Sequence, residues 1–446
     1  MVNRKRAYLR IIVRKDTDME QKYERLTRAG VTMSAVSAAV ATWLTVKPRT
    51  RGLTVNMLGY GVKIIGGALS PVIAVMGFLG AVVSRRAGKD VFAFLGGLGA
   101  LLATRYVHRV SADHDREQLS EAAPAYATPV LRHRWHLGQV TQQPEPRFVR
   151  DVVYATVPGE RDGQMRELLC DLWVPSGAVK QSGLGVIYVH GGAWQSFDKD
   201  VATRAFFRHL TAQGHVAVDV AYRLAHETDM AGMVGDVKRA IAWLKANAHY
   251  LGVDPGGIVI SGGSAGGHLA LVAAYTPNNA DFDPPETHVA DTSVRGVFAY
   301  YPVADLRTLT DFWSQQAMHP LMHAVGRSMG YFTKEGYLRW NELVQRLFGG
   351  SPEEVGDLLL AYSPVAHVSK HCPPTLILQG QHDHVVPVGD VRALARSLVD
   401  AGCDAEIVEF PQVEHAFDLF ARQVSPPAQS ALYDVDRFLA RLVPGS

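Results

Sequence analysis

Cysteine is scarce in this chain of 446 residues, which contains only three. Cys170, Cys372 and Cys403 are far apart, so they offer neither a disulfide framework nor the spacing of metal ligands. None of them lies in a motif that would make it a nucleophile. We therefore expect three small, buried, apolar side chains.

A large net charge is also missing, because 45 lysines and arginines stand against 43 aspartates and glutamates. The resulting net charge of +2 gives no reason to expect nucleic acid as a partner. A patch that mixes basic and aromatic residues is absent as well. The composition, with 47% hydrophobic and 20% charged residues, is that of a globular domain with an apolar addition.

Charged residues are missing from three stretches near the N-terminus: Val31–Val46, Ile64–Val83 and Val91–Thr104. The middle stretch has about 20 residues, the length that an α-helix needs to cross a bilayer. Its glycines favour close packing of helices within a membrane. We therefore predict a basic N-terminal segment (residues 1–30) and an apolar helical membrane-anchor region (31–110), with membrane lipid contacted by residues 31–104.

A buried helical cap over the rest of the protein is the alternative to a membrane anchor. Pro71, in the middle of the longest stretch, is expected to kink the helix or turn it back. The basic N-terminus indicates a cytoplasmic start, but the loops between the stretches are basic too. Two effective crossings would keep the following domain in the cytoplasm and three would place it outside. We favour the cytoplasmic side.

Residues 111–147 are polar and then mixed, with several prolines, which is typical of a linker. From residue 148 to 446, β-type runs alternate with helical patterns, as in an α/β domain. Runs near residues 186, 258 and 376 are continuously apolar, as expected of parallel strands buried on both faces. We predict a mostly parallel, eight-stranded sheet with helices on both faces, whose strands are Val152–Ala155, Leu168–Val174, Gly185–Val189, Val216–Ala221, Gly257–Ile260, Val297–Tyr301, Thr375–Leu378 and Ala405–Glu409.

A glycine-rich turn at Gly262–Gly266 separates one predicted strand from a helical pattern. It matches G-x-S-x-G in the strand–turn–helix context in which this motif describes a nucleophile elbow. Such a turn strains the backbone at the serine, and glycine is needed two residues before and after it because side chains there would collide. Ser264 is therefore the predicted nucleophile. Amides at the start of the next helix favour an oxyanion at the same place.

A second glycine motif, His190-Gly191-Gly192-Ala193-Trp194, directly follows a predicted strand. Glycines at such a position let backbone amides approach a ligand closely. We predict that the amides of Gly191, Gly192 and Ala193 form an oxyanion hole together with the amide of Ala265. His190 is expected to shape the loop by hydrogen bonding.

A serine is a poor nucleophile at neutral pH, so it needs a base, and the base needs an orienting acid. Asp383 follows the predicted strand Thr375–Leu378, and His415 follows the next strand. Both residues therefore lie at carboxyl ends of strands, on the same rim of the sheet as Ser264. The order Ser264, Asp383, His415 predicts a catalytic triad.

Other titratable residues near these motifs are His382, His384, Glu414, Asp418 and His268. The two histidines beside Asp383 are alternatives to His415 as the base. The two carboxylates are alternatives to Asp383 as the acid, although we expect Glu414 to be a solvated loop residue. His268, one helical turn after Ser264, is expected to be a packed helix residue.

Residues from about 148 to 443 resemble the α/β-hydrolase fold, specifically esterases and lipases related to hormone-sensitive lipase and to BD-FAE-type carboxylesterases. The resemblance rests on His190–Trp194, Tyr222-Arg223-Leu224, Ser261–Gly267, Asp383 and His415. It implies a serine carboxylic-ester hydrolase that acts through an acyl-enzyme on small-molecule esters, short- to medium-chain or dissolved in a membrane, without a metal or cofactor. The apolar N-terminal region resembles that of membrane-attached bacterial esterases.

Ala193 stands where most relatives of hormone-sensitive lipase have a third glycine. The same pattern resembles kynurenine formamidases and prenylcysteine methylesterases, which stay alternative substrate classes. A binding protein that keeps the fold without activity is a further alternative, and the intact set of motifs argues against it.

About 70 residues separate the predicted strands at Val297–Tyr301 and Thr375–Leu378, more than a crossover requires. The apolar, helix-compatible character of this segment predicts a lid insertion at residues 304–362 that lines the substrate pocket. A crossover helix with an extra turn or two is the alternative.

Overall fold

In the described part of the chain, four helices precede the sheet. The computed structural model describes residues 2–47, 53–112, 134–136, 143–159, 164–288, 290–314 and 340–443. The four helices are α1 (Val2–Thr45), α2 (Leu53–Ala68), α3 (Ser70–Arg86) and α4 (Asp90–Ser111).

The predicted 20-residue apolar stretch is divided between α2 and α3, which meet at an angle of 82°. Pro71 lies in the first turn of α3, where its missing N–H leaves no helical bond unmade. The predicted kink is confirmed. Ile64–Val83 is therefore shared by two helices, one that ends at Ala68 and one that begins at Ser70.

Helices α1, α3 and α4 pack against one another with their backbones in close contact. A Cβ on Gly77 would lie 2.7 Å from the carbonyl oxygen of Gly96, and one on Gly80 would lie 2.8 Å from the amide nitrogen of Ser34. Only glycine allows these approaches. We call α1, α3 and α4 the helical bundle; α4 is long and apolar enough to cross a membrane, and the bent pair α2–α3 is a second candidate.

The bundle has two distinct ends. At one end the Tyr23 hydroxyl lies 3.5 Å from the carbonyl oxygen of Arg86, so the middle of α1 meets the end of α3. At the other end Leu44, Tyr106 and Val110 join an apolar cluster of the sheet domain. The chain therefore runs towards the sheet domain in α1, away from it in α3 and back in α4.

Eight strands form a single sheet in the order β1-β2-β4-β3-β5-β6-β7-β8 within the described residues. They are β1 (Arg147–Pro158), β2 (Met165–Val174), β3 (Gly183–Val189), β4 (Val216–Val220), β5 (Val253–Gly263), β6 (Gly296–Tyr300), β7 (Thr375–Gly380) and β8 (Ala405–Phe410). Strand β2 pairs antiparallel with β1 and with β4, and all other neighbours are parallel. Each predicted strand coincides with one of these, and the predicted fold class is confirmed.

Helices cover both faces of the sheet, and each face has its own apolar core. Those described after β3 are α5 (Arg204–Ala212), α6 (Met230–Leu251), α7 (Ala265–Tyr275), α8 (Leu306–Ser314), α9 (Trp340–Phe348), α10 (Gly356–Ala361), α11 (Val388–Asp400) and α12 (Pro426–Leu442). The first core includes side chains of α6, α7 and α11. The second includes those of α5 and α12, together with the three bundle residues named above. The bundle thus extends the core on the α5/α12 face.

Two predicted segments are described only in part. Most of the linker at 111–147 lies outside the described residues, but Arg134 forms a buried ion pair with Asp434 of α12, with nitrogen–oxygen distances of 2.8 and 2.9 Å. Residues 315–339 of the predicted lid also lie outside, so the lid stays a prediction. Cys170 and Cys372 are buried whereas Cys403 is partly exposed, which corrects the expectation for that residue.

Candidate active site

Ser264 stands at the sharp turn between β5 and α7. Its backbone has φ +55° and ψ −121°, a conformation that L-residues rarely adopt. The turn is held because the Ser264 amide donates to the carbonyl oxygen of Tyr300, at 2.9 Å, on the neighbouring strand. A Cβ on Gly262 would lie 2.6 Å from the Val189 carbonyl oxygen, and Gly266 is closer still. The predicted need for glycine at both positions is confirmed.

The three predicted triad residues lie together at the carboxyl ends of β5, β7 and β8. His415 Nε2 is 3.0 Å from Ser264 Oγ, and His415 Nδ1 is 2.8 Å from Asp383 Oδ2. A carboxylate only accepts hydrogen bonds, so Nδ1 carries the proton and Nε2 is free to accept the serine proton. This is the geometry that general-base activation of a serine requires.

Asp383 is held by four donors. Its Oδ1 accepts from the amides of Val385 (2.9 Å) and Val386 (2.8 Å), while Oδ2 accepts from Gln379 Nε2 (2.9 Å) as well as from His415. The side chain is fully buried. A buried carboxylate with this many donors stays oriented, so it can fix the tautomer of His415.

The rival acids have other partners. Glu414 is buried, which corrects the expectation of a solvated residue: Oε1 accepts from the amides of His384 (3.0 Å) and His415 (2.9 Å). Asp418 accepts from the Tyr301 hydroxyl and from Arg422 Nη2, the latter at 2.7 Å. Neither carboxylate is hydrogen-bonded to the His415 ring, so both stabilise residues around the site and do not orient the imidazole.

The rival histidines are also engaged elsewhere. His384 Nδ1 lies 3.0 Å from Glu414 Oε2, and His382 Nδ1 lies 2.8 Å from Lys63 Nζ. His268 accepts from Trp194 Nε1 at 3.3 Å and lies with Nε2 2.7 Å from the Tyr362 carbonyl oxygen. Burial lowers the pKa of His268 to about 4, so it is a neutral packed residue, as predicted.

The loop after β3 passes directly over Ser264. A Cβ on Gly191 would lie 2.8 Å from the Gly263 carbonyl oxygen and 3.4 Å from Ser264 Cβ. Gly192 has φ +128° and Ala193 has φ +52°. Because of these positive φ angles, the amide N–H groups of neighbouring residues in the loop point in different directions. Among the described residues, none of the backbone hydrogen bonds in turns and loops is donated by the amide of Gly192, Ala193 or Ala265.

His190 shapes this loop, as predicted. Its Nδ1 lies 2.7 Å from the Gly191 carbonyl oxygen, and its ring stacks on Tyr222 at a centroid distance of 4.5 Å. The Tyr222 hydroxyl donates to the His190 carbonyl oxygen at 3.1 Å. Arg223, the next residue, forms a bidentate contact with Asp236 at 2.8 Å. The Tyr222-Arg223-Leu224 motif therefore stabilises the loop after β3.

A buried group of acidic residues anchors the far end of the same loop. Asp219 Oδ2 accepts from the Asp200 amide (2.7 Å) and from Thr203 Oγ1 (3.0 Å), and its cross-strand neighbour Asp171 lies 3.0 Å from Lys199 Nζ. Burial raises the pKa of Asp219 to about 7. Asp219 Oδ1 has no hydrogen-bond partner in the described structure, so this oxygen can carry the proton.

Sequence reasoning missed several side chains around the triad. The Tyr301 ring lies 4.3 Å from the His415 ring, and Trp313 Nε1 donates to the Val385 carbonyl oxygen at 3.0 Å. Lys63 of α2 contacts His382 in the loop that carries Asp383, which we call the acid loop. No local motif marks them, because each comes from a distant part of the chain. In the residues that the structure describes, no group of three or more His, Cys, Asp or Glu side chains could hold a metal ion.

A family model described as BD-FAE matches residues 170–398, more than half of the chain. The chain belongs to the BD-FAE family. The BD-FAE match contains Ser264 and Asp383 and ends before His415. The predicted resemblance to this group of α/β-hydrolases is thereby confirmed.

Relatives of this BD-FAE protein include two from Mycobacterium tuberculosis. The probable carboxylic ester hydrolase LipM is 34% identical over 256 residues, which are 57% of this chain and 53% of LipM. The esterase LipQ is 33% identical over 271 residues, 60% of this chain and 59% of LipQ. The chain therefore spans a little over half the length of these relatives.

Solved structures point to the same class of domain. A thermophilic esterase of Thermogutta terrifontis with propionate bound has a TM-score of 0.51 at 27% identity, covering 68% of this chain and 97% of that one. The same esterase phosphonylated by sarin gives a TM-score of 0.52 at 27% identity, covering 69% and 99%. The catalytic region is a carboxylesterase-type α/β-hydrolase domain.

Proposed function

We propose that the protein is a serine carboxylic-ester hydrolase anchored in a membrane. The observation that carries the catalytic part is the continuous chain of contacts from Ser264 Oγ through His415 to Asp383, at 3.0 and 2.8 Å. The esterase names of its relatives support the same reaction.

In the proposed reaction Ser264 Oγ attacks the ester carbonyl while His415 Nε2 takes its proton. His415 then gives that proton to the leaving alcohol, and an acyl-enzyme on Ser264 results. A water molecule, deprotonated by the same imidazole, attacks the acyl group and releases the acid. Asp383 keeps the imidazole in the productive tautomer and stabilises the imidazolium.

Negative charge develops on the carbonyl oxygen in both steps. We assign the oxyanion hole to the amides of Gly191, Gly192, Ala193 and Ala265. Removal of one such donor typically costs about 3 kcal/mol of transition-state stabilisation. The +55° φ of Ser264 supports this assignment, because it presents Oγ at the start of α7.

The proposed substrates are short- to medium-chain esters or esters dissolved in a membrane. The solved esterase neighbours have propionate and butyrate bound, which supports short acyl groups. Turnover of a series of p-nitrophenyl esters of increasing acyl length, beside N-formylkynurenine and a prenylcysteine methyl ester, would separate this substrate class from the two alternatives. Faster turnover of either of the last two compounds would replace our proposal.

Substitution of the nucleophile tests the mechanism. We expect Ser264→Ala to abolish ester hydrolysis and covalent labelling by an organophosphonate. Ser261→Ala is the matched control, since Ser261 is a fully buried serine on β5, three residues before Ser264, whose Oγ has no partner within the described residues. Full activity of Ser264→Ala, or labelling of another serine, would refute the assignment.

The helical bundle supports the anchor proposal by the way its residues are distributed. Serines and glycines fill its interior, and Ser34, Ser37 and Ser84 are fully buried. Large apolar side chains face outward instead: Phe78 is 62% exposed and Phe94 70%. A soluble cap would bury these aromatic residues, whereas lipid solvates them.

The direction of the helices bears on the side of the membrane. Because α1, α3 and α4 lie side by side along the bundle, the N-terminus and the sheet domain lie at opposite ends of it. Helix α4 and the bent pair α2–α3 are long and apolar enough to cross a membrane, and we propose that α1, uncharged from Val31 to Val46, crosses beside them.

Arg85, Arg86 and Lys89 stand at the same end as the basic N-terminus. Basic residues also stand at the other end, namely Lys47, Arg105 and Arg109, but the N-terminal end carries more of them, so we assign that end to the cytoplasm by the positive-inside rule. We therefore propose that the hydrolase domain lies on the non-cytoplasmic side. The cytoplasmic location favoured from sequence, which corresponds to two crossings, is the alternative.

A further inference from the structure

Helix α2 reaches the loop that carries the triad acid. Lys63 Nζ lies 2.8 Å from Nδ1 of His382, the residue immediately before Asp383. It also lies 3.5 Å from the carbonyl oxygen of Leu44, at the end of α1. One lysine thus joins α1, α2 and the acid loop, although 319 residues separate it from His382.

The residue on the other side of Asp383 also contacts α2. Tyr60, one turn before Lys63, meets the ring of His384 edge to face at a centroid distance of 4.9 Å. The two histidines flanking the acid are therefore both held by the same helix. Nothing in the reaction itself uses either of them.

Lys63 is a buried ammonium group without a salt bridge among the described residues. Such a group is unfavourable unless it is hydrogen-bonded. A donor at Nδ1 requires His382 to be neutral, with its proton on Nε2. The environment agrees, because burial and the nearby positive charges of Lys63 and Lys47 lower the pKa of His382 to about 4.

The acid loop is in turn fastened to the loop that carries His415. The His382 amide donates to the Val413 carbonyl oxygen at 2.8 Å, and the His384 amide donates to Glu414 Oε1 at 3.0 Å. Backbone donors on both sides of Asp383 thus link the two loops. A shift of His382 would therefore change the distance between Asp383 and His415.

We propose that helix α2 is a support of the catalytic site, and that Lys63 is a positioning residue which holds the acid loop through His382. This inference rests on the proposed triad. It gives the N-terminal region a role in the reaction besides attachment, because docking of α2 against the sheet domain sets the geometry of the acid and base.

The test compares Lys63→Met with wild type in the full-length protein in detergent. Methionine keeps the length and removes the donor. We expect kcat for a p-nitrophenyl ester to fall about 10- to 100-fold, because small misplacement of a catalytic group has effects of that size. KM is expected to change less than about twofold, since the substrate contacts are untouched. Rates are expressed per site titrated by an organophosphonate, so that unfolded protein does not contribute.

Three further variants make the result specific. Lys89→Met, at the opposite end of the bundle, is expected to keep wild-type kcat. Lys63→Arg restores a donor and is expected to regain part of the lost rate. In a His382→Leu background, Lys63→Met is expected to cause no further loss, because coupled residues are non-additive.

Wild-type kcat in Lys63→Met, or equal losses with and without His382, would overturn the inference. If Lys63→Met protein has no site that the organophosphonate can titrate, kcat of Tyr60→Leu is measured instead. A fall in this kcat is expected, and a wild-type value would contradict the role of α2. Failure of the triad itself is recognised separately, by activity that survives Ser264→Ala.

Discussion

The two carboxylate oxygens of Asp383 accept hydrogen bonds from different kinds of donor. Oδ1 accepts only from backbone amides, those of Val385 and Val386, and Oδ2 accepts from the side chains of Gln379 and His415. The backbone donors are fixed by the loop, so the orientation of the carboxylate is fixed as well. This asymmetry determines what an amide at the same position would do.

We predict that Asp383→Asn lowers kcat by about 10⁴-fold without unfolding the protein. The asparagine oxygen is expected to take the place of Oδ1, because two amides point there, and its NH₂ group then faces His415 Nδ1. The imidazole must accept that bond, so its proton moves to Nε2 and it can no longer accept from Ser264. Steady-state kinetics and the rate of phosphonate labelling measure the effect.

An exposed aspartate, Asp281, provides the control, and Asp281→Asn is expected to behave as wild type. If Asp383→Asn loses less than about tenfold in kcat, the orienting acid is a different residue, and Asp418 becomes the candidate.

Asp219, which anchors the far end of the loop after β3, makes stability depend on pH. Its pKa is raised to about 7 from the ordinary 3.8, so the folded state binds the proton more tightly than the unfolded state. The resulting stabilisation is fully present below the unfolded pKa and is lost as the pH rises through about 7. We therefore predict that the melting temperature falls between about pH 5 and pH 8, and that Asp219→Asn flattens this dependence.

Asparagine can keep the bonds from Asp200 and Thr203 while its NH₂ group occupies the place of the protonated oxygen. Melting curves of wild type and variant at both pH values, with Asp281→Asn as reference, measure the difference. An equally steep fall in Asp219→Asn would show that another group titrates.

At the scale of elements, the turn between β5 and α7 depends on glycine at two positions. We predict that Gly266→Ala abolishes activity and lowers the melting temperature, because the added methyl group would press into the backbone of Val189 and His190. Gly389→Ala in α11 is the control, since nothing lies within 4 Å of a Cβ there. That variant is expected to be neutral or slightly stabilising. Retained activity in Gly266→Ala would mean that the elbow can widen.

The elements that sequence predicted well are those whose signals are local. Continuous apolar runs mark β3, β5 and β7 because both faces of these strands are buried, and glycine spacing marks the elbow because the strain is confined to five residues. The kink at Pro71 is local too. The proximity of Ser264, Asp383 and His415 followed from their shared position at strand ends.

Contacts between distant segments could not be predicted in this way. Glu414 was expected to be solvated because its burial depends on His384, 30 residues earlier in the chain. The contact between Lys63 and His382 depends on how the bundle docks, and no pattern within α2 encodes it. The end of α2 was hidden, because its last five residues and most of α3 form one apolar stretch in which Leu69 separates the two helices without a change in hydropathy.

At the scale of the whole molecule, the bundle and the sheet domain differ in which residue types they bury and which they expose. The sheet domain places apolar residues inside, as in both of its cores. The bundle buries mostly glycine, serine and alanine, with Ile73 in a small apolar cluster, and it exposes Val75, Phe78 and Leu101, which are 58%, 62% and 64% exposed. Such a surface is stable in lipid, and a tethered hydrolase would meet membrane-dissolved esters at a raised effective concentration.

We predict that the full-length protein stays in the membrane fraction through an alkaline carbonate wash, and that its hydrolase domain is accessible from outside the cell membrane. The second expectation follows from the proposed three crossings and from the assignment of the more basic end of the bundle to the cytoplasm. Tyr250, which is 84% exposed at the end of α6, provides a labelling position. In a Cys403→Ser background, Tyr250→Cys is expected to react with a membrane-impermeant maleimide in intact spheroplasts.

Two controls and two outcomes complete this test. The Cys403→Ser protein without the new cysteine gives the background from the buried Cys170 and Cys372. A cysteine introduced at Arg86, at the opposite end of the bundle, is expected to react only after the membrane is opened. The reverse pattern would place the domain in the cytoplasm and would require one of the three helices not to cross. Release by the carbonate wash would replace the anchor with a helical cap, and the outward-facing aromatic residues of α3 and α4 would then have to contact protein instead of lipid.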